Sequence, residues 1–144
     1  MLVQVILKSK ATTGVVTIKP DASVSEAAKL LSDNKFGSVV VSADGEKAEG
    51  ILSERDIVRE LAASGSGCLE KPVSDYMTRK LVTCTRQSNV GQVLKQMTDG
   101  RFRHMPVVEE EKLVGIVTLG DVVKAQLAQV AMEKDALQDM IMGH

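Results

Sequence analysis

Two hydroxyl–carboxylate pairs are the residues best placed to do chemistry. Residues 50–58 read GILSERDIV and residues 115–123 read GIVTLGDVV, so Ser53 stands three positions before Asp56 and Thr118 three before Asp121. Each pair follows a Gly and two apolar residues, the place where a strand hands over to a helix. Two chemistries share that geometry. One is a capping box, in which the hydroxyl accepts from the third amide of the helix and the acid reaches back to the cap. The other is ligand binding: a helix N-terminus offers unsatisfied N–H groups and a positive dipole end to a phosphate. A carboxylate in the first turn can then accept from both hydroxyls of a ribose. The motif alone leaves both readings open, and one protein can use both.

Cations bear on the choice, because a cap needs none while a phosphate needs charge-assisted donors. Arg55 lies inside the first motif, and RFRH places Arg101, Arg103 and His104 just ahead of the apolar run MPVV. Charged residues before a strand are commonly just solvated, so the weight rests on the combination. Catalysis has less to stand on. His104 and His144 are the two histidines, and His144 is the last residue. No Ser–His–Asp or Cys–His arrangement follows from spacing, and no metal-ligand pair occurs beyond incidental acids. Cys68 and Cys84 form no metal or redox spacing, which fits a reducing cytoplasm. Cys84, within TCT, reads as a small buried hydrophobe. The expectation is a protein that is not an enzyme, holds no metal and needs no obligatory cofactor.

The elements that must position these residues are written twice. Asp56 and Asp121 are 65 residues apart, as are Gly50 and Gly115, whereas Thr17 and Thr83, Val24 and Val90, and Phe36 and Phe102 are 66 apart. The one-residue slip falls between Val41 and Gly50, where SADGEKAE is a turn-rich loop. Such an offset indicates internal duplication. SVSEAAKLLSDN and SNVGQVLKQMTDG each open on a capping serine, Ser23 and Ser88, and carry apolar residues at helical spacing. SVVV and MPVV read as buried strands, EGIL and LVGIV as their hairpin partners, and SERDIVRELAA and TLGDVVKAQLAQ as helices. Each unit is thus β-α-β-β-α in a mixed α/β (α+β) fold. The expected organisation is an N-terminal segment over 1–11, a repeat over 12–63, a connector over 64–76, a second repeat over 77–125 and a helical extension over 126–144. In the connector Ser74 is placed to cap the turn SDYM.

Composition narrows the class further. With 144 residues, 44% hydrophobic content and a net charge of −1, the chain has no basic excess for nucleic acid and no acidic run for disorder. MLVQVIL is too short to span a membrane and lacks the flanks of a secretory signal. Two Phe, one Tyr and no Trp leave an aliphatic core, with seven Met to fill it or to cover a partner surface.

The duplicated unit ending in Gly-apolar-apolar-Ser/Thr-x-x-Asp, with Met77 and Thr78 opening the second copy, resembles the cystathionine β-synthase (CBS) domain pair, or Bateman module. GRFRHMPV and the two motifs look like small stand-alone bacterial two-CBS proteins. The resemblance covers about residues 12 to 125. It implies two repeats packed with pseudo-two-fold symmetry and two clefts for adenosine-containing ligands: AMP, ADP, ATP, NAD(H) or S-adenosylmethionine. Site A would take Ser53, Arg55 and Asp56 with Lys80, Leu81 and Val82, and with Arg103, His104, Met105 and Pro106. Asp56 would hold the ribose, Ser53, Arg55, Arg103 and His104 the phosphate, and Met105 and the Lys80 backbone would border adenine. Site B would take Thr118 and Asp121 with Thr13, Gly14, Val15 and Val16, and with Gly37, Ser38 and Val39.

The positions matching Arg103, His104 and Arg55 are Gly37, Ser38 and Gly120, so site B is expected to be the less cationic and to hold a less charged end. His104 beside a phosphate should bind a proton more readily. The implied role is a regulatory sensor with bound AMP or NAD(H). A homodimer through the helices and a regulated partner protein are expected, with no nucleic acid and no membrane. The alternative is a ligand-independent interaction or dimerisation module.

Overall fold

A computed structural model describes residues 1–10 and 15–143. The chain runs through α1 (Val3–Ser9), β1 (Thr17–Ile18), α2 (Val24–Asn34), β2 (Ser38–Val41), β3 (Gly50–Ser53) and α3 (Glu54–Ser64). After two short 3-10 turns come α4 (Val90–Gly100), β4 (His104–Glu109), β5 (Lys112–Thr118) and the long α5 (Leu119–Ile141).

Local chemistry explains the helix ends. Ser23 caps α2 by accepting from the Glu26 amide at 3.1 Å. The equivalent cap of α4 is Asn89, which accepts from Gly91 and Gln92; Ser88, expected in that role, accepts from Thr85 instead. Asn89 lies 66 residues after Ser23, so the repeat keeps the position and changes the side chain. Both helices close on a basic residue in the left-handed region, Lys35 (φ 56°) and Arg101 (φ 57°). Ser74 is not a cap either: Val73–Asp75 is a single 3-10 turn led by Pro72.

The sheets repeat in register. β1 runs parallel to β2, and β2 pairs antiparallel with β3, bringing Val41 opposite Gly50. In the second half β4 and β5 pair antiparallel, with Val107 opposite Gly115. The slip in the repeat therefore lies in the loop between these pairs. The first strand of the second unit shrinks to one parallel bridge, Cys84 to Val107. Pro106, at the position of Val40, has no N–H to give that ladder.

Two aliphatic cores match residue for residue. Ile18, Val24, Ala27, Leu31, Val39 and Val41 of the first correspond to Cys84, Val90, Val93, Met97, Met105 and Val107 of the second. Each core is finished by a segment from outside its own repeat. Met77 and Val73 complete the first, and Thr78 exchanges both backbone hydrogen bonds with Ile51, at 2.9 and 3.0 Å. Val3, Ile6 and Leu7 of α1 complete the second. This explains the motif glycines. A Cβ on Gly50 would lie 2.6 Å from Met77 Sδ, and one on Gly115 would lie 2.7 Å from Leu7 Cδ2. They admit the crossing segment, and Gly115 also lines one of the two clefts between the halves. Among the described residues no helix is long and apolar enough to cross a membrane.

Candidate functional site

Both hydroxyl–carboxylate pairs fold as full capping boxes. Asp56 Oδ2 accepts from the Ser53 amide at 2.9 Å while Ser53 Oγ accepts from the Asp56 amide at 3.2 Å. Thr118 and Asp121 do the same at 3.0 and 3.1 Å. The motifs thus fix the starts of α3 and α5. The same bonds leave each carboxylate with acceptor capacity, since an ionised carboxylate takes about four hydrogen bonds.

Two clefts run between the halves. Cleft A, of about 840 Å³, is lined by Ser53, Arg55 and Asp56 from the first half. Lys80, Leu81 and Val82 line it from the start of the second half, and Arg103, His104 and Pro106 from the entry to β4. Both clefts fall in the range of roughly 300–1,000 Å³ usual for small-molecule sites. Met105, expected to border adenine, does not face the cleft. It is fully buried in the second core, because alternate residues of β4 point inward. Cleft A also gains Arg59, Thr78 and Phe102, which the sequence reading missed, and Arg101, which it named among the cations without placing it in the site. Arg59 was within reach of inference, since it lies one turn after Asp56 and donates to its Oδ1 at 2.7 Å.

Cleft B, of about 710 Å³, is lined by Val15, Val16, Gly37, Ser38, Val39 and Thr118. Thr13 and Gly14 lie outside the described residues. Asp121 is on the lining of neither cleft; its carboxylate is taken by Lys10, which does line cleft B. Cleft B has four cations on its lining against five in cleft A, but cleft A also carries Glu54 and Asp56, so the expected contrast in charge does not hold. Lys8, Lys10, Lys35 and Arg86 line cleft B from positions outside the compared motifs, and no carboxylate among the described residues lines it. Gly120 faces cleft A.

Gly37, Ser38, His104 and Thr118 line both clefts and form the wall between them. The His104 ring packs over Gly37, where a Cβ would meet Nε2 at 3.1 Å. Ser38 Oγ is buried in this wall with no hydrogen-bond partner, an arrangement costing about 1–3 kcal/mol unless a ligand or water satisfies it. Burial pushes the His104 imidazole below its ordinary value; Glu54 opposes this, while Arg103, Lys10 and Arg55 add to it. For Asp121 burial acts to raise the carboxyl, but Lys10 and the Thr118 amide and hydroxyl outweigh it and hold the group below the usual carboxylate value. Both cysteines are buried, and burial with Glu109 nearby pushes the Cys84 thiol up to about 11.

The CBS domain family matches residues 7–63 and 73–128. The chain is 35% identical over 127 residues to the mitochondrial CBS domain-containing protein CBSX3 of Arabidopsis thaliana, across 85% of this chain but only 62% of that one. The crystal structure of the CBS-domain containing protein ATU1752 from Agrobacterium tumefaciens superposes with a TM-score of 0.83 at 43% identity, covering 88% of this chain and 99% of that one. The CBS domain pair of MJ0100, solved with 5′-methylthioadenosine and S-adenosyl-L-methionine, gives a TM-score of 0.77 at 27% identity, covering 90% and 98%. The chain belongs to the CBS domain family and carries a tandem pair of its repeats.

Proposed function

We propose that this protein is a non-enzymatic sensor that binds adenine nucleotides, AMP, NAD(H) or ATP, in the clefts between its two CBS repeats. One observation carries the reading: cleft A brings the Ser53–Asp56 motif of one half against Arg103 and His104 of the other. In this reading Asp56 takes the ribose hydroxyls. Ser53, Arg55, Arg103 and His104 take the phosphate at the N-terminus of α3. Leu81, Val82, Pro106 and the Lys80 backbone border the base. In cleft B, Thr118 plays the matching part on the lining, Asp121 joins it once Lys10 releases its carboxylate, and the unpartnered Ser38 Oγ supplies a polar contact. Support comes from MJ0100, whose CBS pair was solved with two adenosine derivatives. A ligand gripping both halves changes how they pack, and a regulated partner reads that change. A CBS-domain protein of Burkholderia ambifaria MC40-6, 30% identical, is named for signal transduction. The two buried free thiols suit a cytoplasmic setting.

Titration calorimetry with AMP on wild type and on Arg103→Ala tests the assignment. A variant that binds as tightly as wild type would remove Arg103 from the site.

A second reading, an interaction or homodimerisation module, is favoured by α5. From Ala131 onward every described residue of this helix is exposed, including Leu137, Met140 and Ile141 at 57%, 76% and 77%.

A further inference from the structure

The two clefts differ in what holds the motif carboxylate. In cleft A the partner of Asp56 is Arg59, from the same helix, with its side chain 65% exposed. In cleft B the partner comes from elsewhere. Lys10, at the C-terminal end of α1, places Nζ 2.8 Å from Asp121 Oδ2 and donates from the same nitrogen to the Ile116 carbonyl at 2.8 Å. Both side chains of this pair are more than two-thirds buried. The segment that completes the first half matches α1 at an offset of 70, as the Val3 and Val73 amides donate to the Ser88 and Ala22 carbonyls, so Lys80 stands at the place of Lys10. Lys80 lines cleft A, but the cation paired with Asp56 is Arg59. Three further cations, Lys8, Lys35 and Arg86, line the same cleft.

We propose that Lys10 is the specificity-determining residue of cleft B and makes it a site for phosphorylated nucleosides rather than for nucleosides. This rests on the reading that Asp121 receives the ribose. A ribose cannot take that carboxylate fully while Lys10 occupies it. A ligand that carries a phosphate gives the ammonium a new charge-assisted partner as it leaves Asp121, so one strong contact replaces another. A bare nucleoside breaks the pair and returns nothing to Lys10, leaving a half-buried ammonium with the Ile116 carbonyl alone. Lys8, Lys35 and Arg86 act in the same direction, since their field favours an anion over a neutral ligand. The ammonium of Lys10 thus moves between two anions, and its transfer uncovers the group that reads the sugar.

The test is calorimetry on the full chain carrying Asp56→Ala and Arg103→Ala, which silences cleft A, with AMP and adenosine as probes. In this background AMP binds at least tenfold more tightly than adenosine. Adding Lys10→Met cuts the ratio to threefold or less, weakening AMP and strengthening adenosine, whereas adding Lys10→Arg keeps the ratio. The rescue by Arg separates a charge-transfer role from a merely structural one, and a thermal melt of each variant shows that it is folded. An unchanged ratio in Lys10→Met, or adenosine bound more weakly than before, overturns the proposal. If wild type binds AMP but the cleft-A-silenced chain does not, the proposal for Lys10 fails while the sensor reading survives at cleft A. If wild type binds neither probe, the proposal for Lys10 fails, and the sensor reading falls with it only if ATP, NAD⁺, NADH and S-adenosylmethionine also give no heat.

Discussion

At the residue scale, Asp56 has two duties that a pair of measurements can separate. As half of a capping box it stabilises the start of α3, and as a ribose acceptor it contributes only when ligand is present. Asp56→Ala should therefore cost about 1 kcal/mol of stability, the usual worth of such a cap, seen as a modest fall in melting temperature. The same change should lower AMP affinity in cleft A by about tenfold or more, since hydrogen bonds to charged groups contribute about 1.5–3 kcal/mol. His104 ties the wall between the clefts to pH. Its folded-state proton affinity is depressed by burial, so the unfolded chain takes up the proton first as pH falls. The stability contributed by the neutral ring is complete above the ordinary imidazole pKa of about 6.5 and is lost as pH drops below it. Melting temperature against pH should flatten in this window in His104→Asn. A phosphate beside the ring acts in the opposite sense, favouring the proton, so AMP affinity should rise as pH falls from 8 to 6. An affinity that is flat over that range in wild type places His104 off the phosphate.

At the element scale, the paired glycines report on the packing of the crossing segments. A Cβ on Gly50 would strike Met77 Sδ and Cγ at 2.6 and 2.8 Å and approach the Thr78 carbonyl at 3.0 Å, whereas on Gly115 its three nearest neighbours would all be Leu7 side-chain atoms. Overpacking typically costs about 1–3 kcal/mol. Gly50→Ala should fall toward the top of that range and Gly115→Ala toward the bottom, because Leu7 can turn aside and the Thr78 backbone cannot; equal melting temperatures would contradict this. These crossings also mark where sequence reading stopped. The duplicated helices and hairpins were legible because apolar period and turn residues are local signals, and the offsets of 65 and 66 survive unchanged in the strand register. The packing of α1 on the second half was not legible, because a seven-residue apolar stretch does not say which sheet it will meet. Lys10, Arg86 and Lys8 went unread for the same reason: they reach cleft B through tertiary placement and not through the motif. Met105 was misplaced because a residue inside a site-like stretch can still point to the core when the strand alternates. The motif residues Ser53, Arg55 and Asp56 were readable because cap chemistry fixes their local geometry.

At the scale of the whole molecule, duplication yields two clefts that share a wall but not a charge pattern. Cleft A sets Arg55, Arg59, Lys80, Arg101 and Arg103 against Glu54 and Asp56, while cleft B carries four cations on its lining. The clefts should therefore differ in ligand preference although their backbones repeat. The outer half of α5 is a separate matter, since it packs on nothing within the described chain. A chain ending at Val130 should keep its melting temperature within about 2 °C, as exposed residues contribute little. If α5 joins two copies, light scattering should show a dimer for the full chain and a monomer for the shortened one; an unchanged mass would remove the outer helix from any interface. The central claim, that a nucleotide is held between the repeats, meets its most direct test in calorimetry. Nucleotide-stripped protein is titrated with AMP, ATP, NAD⁺, NADH and S-adenosylmethionine, beside Asp56→Ala and Asp121→Ala. The account predicts binding of at least one of these near micromolar, about −8 kcal/mol, weakened tenfold or more by Asp56→Ala. Folded protein that gives no heat with any of the five would contradict it.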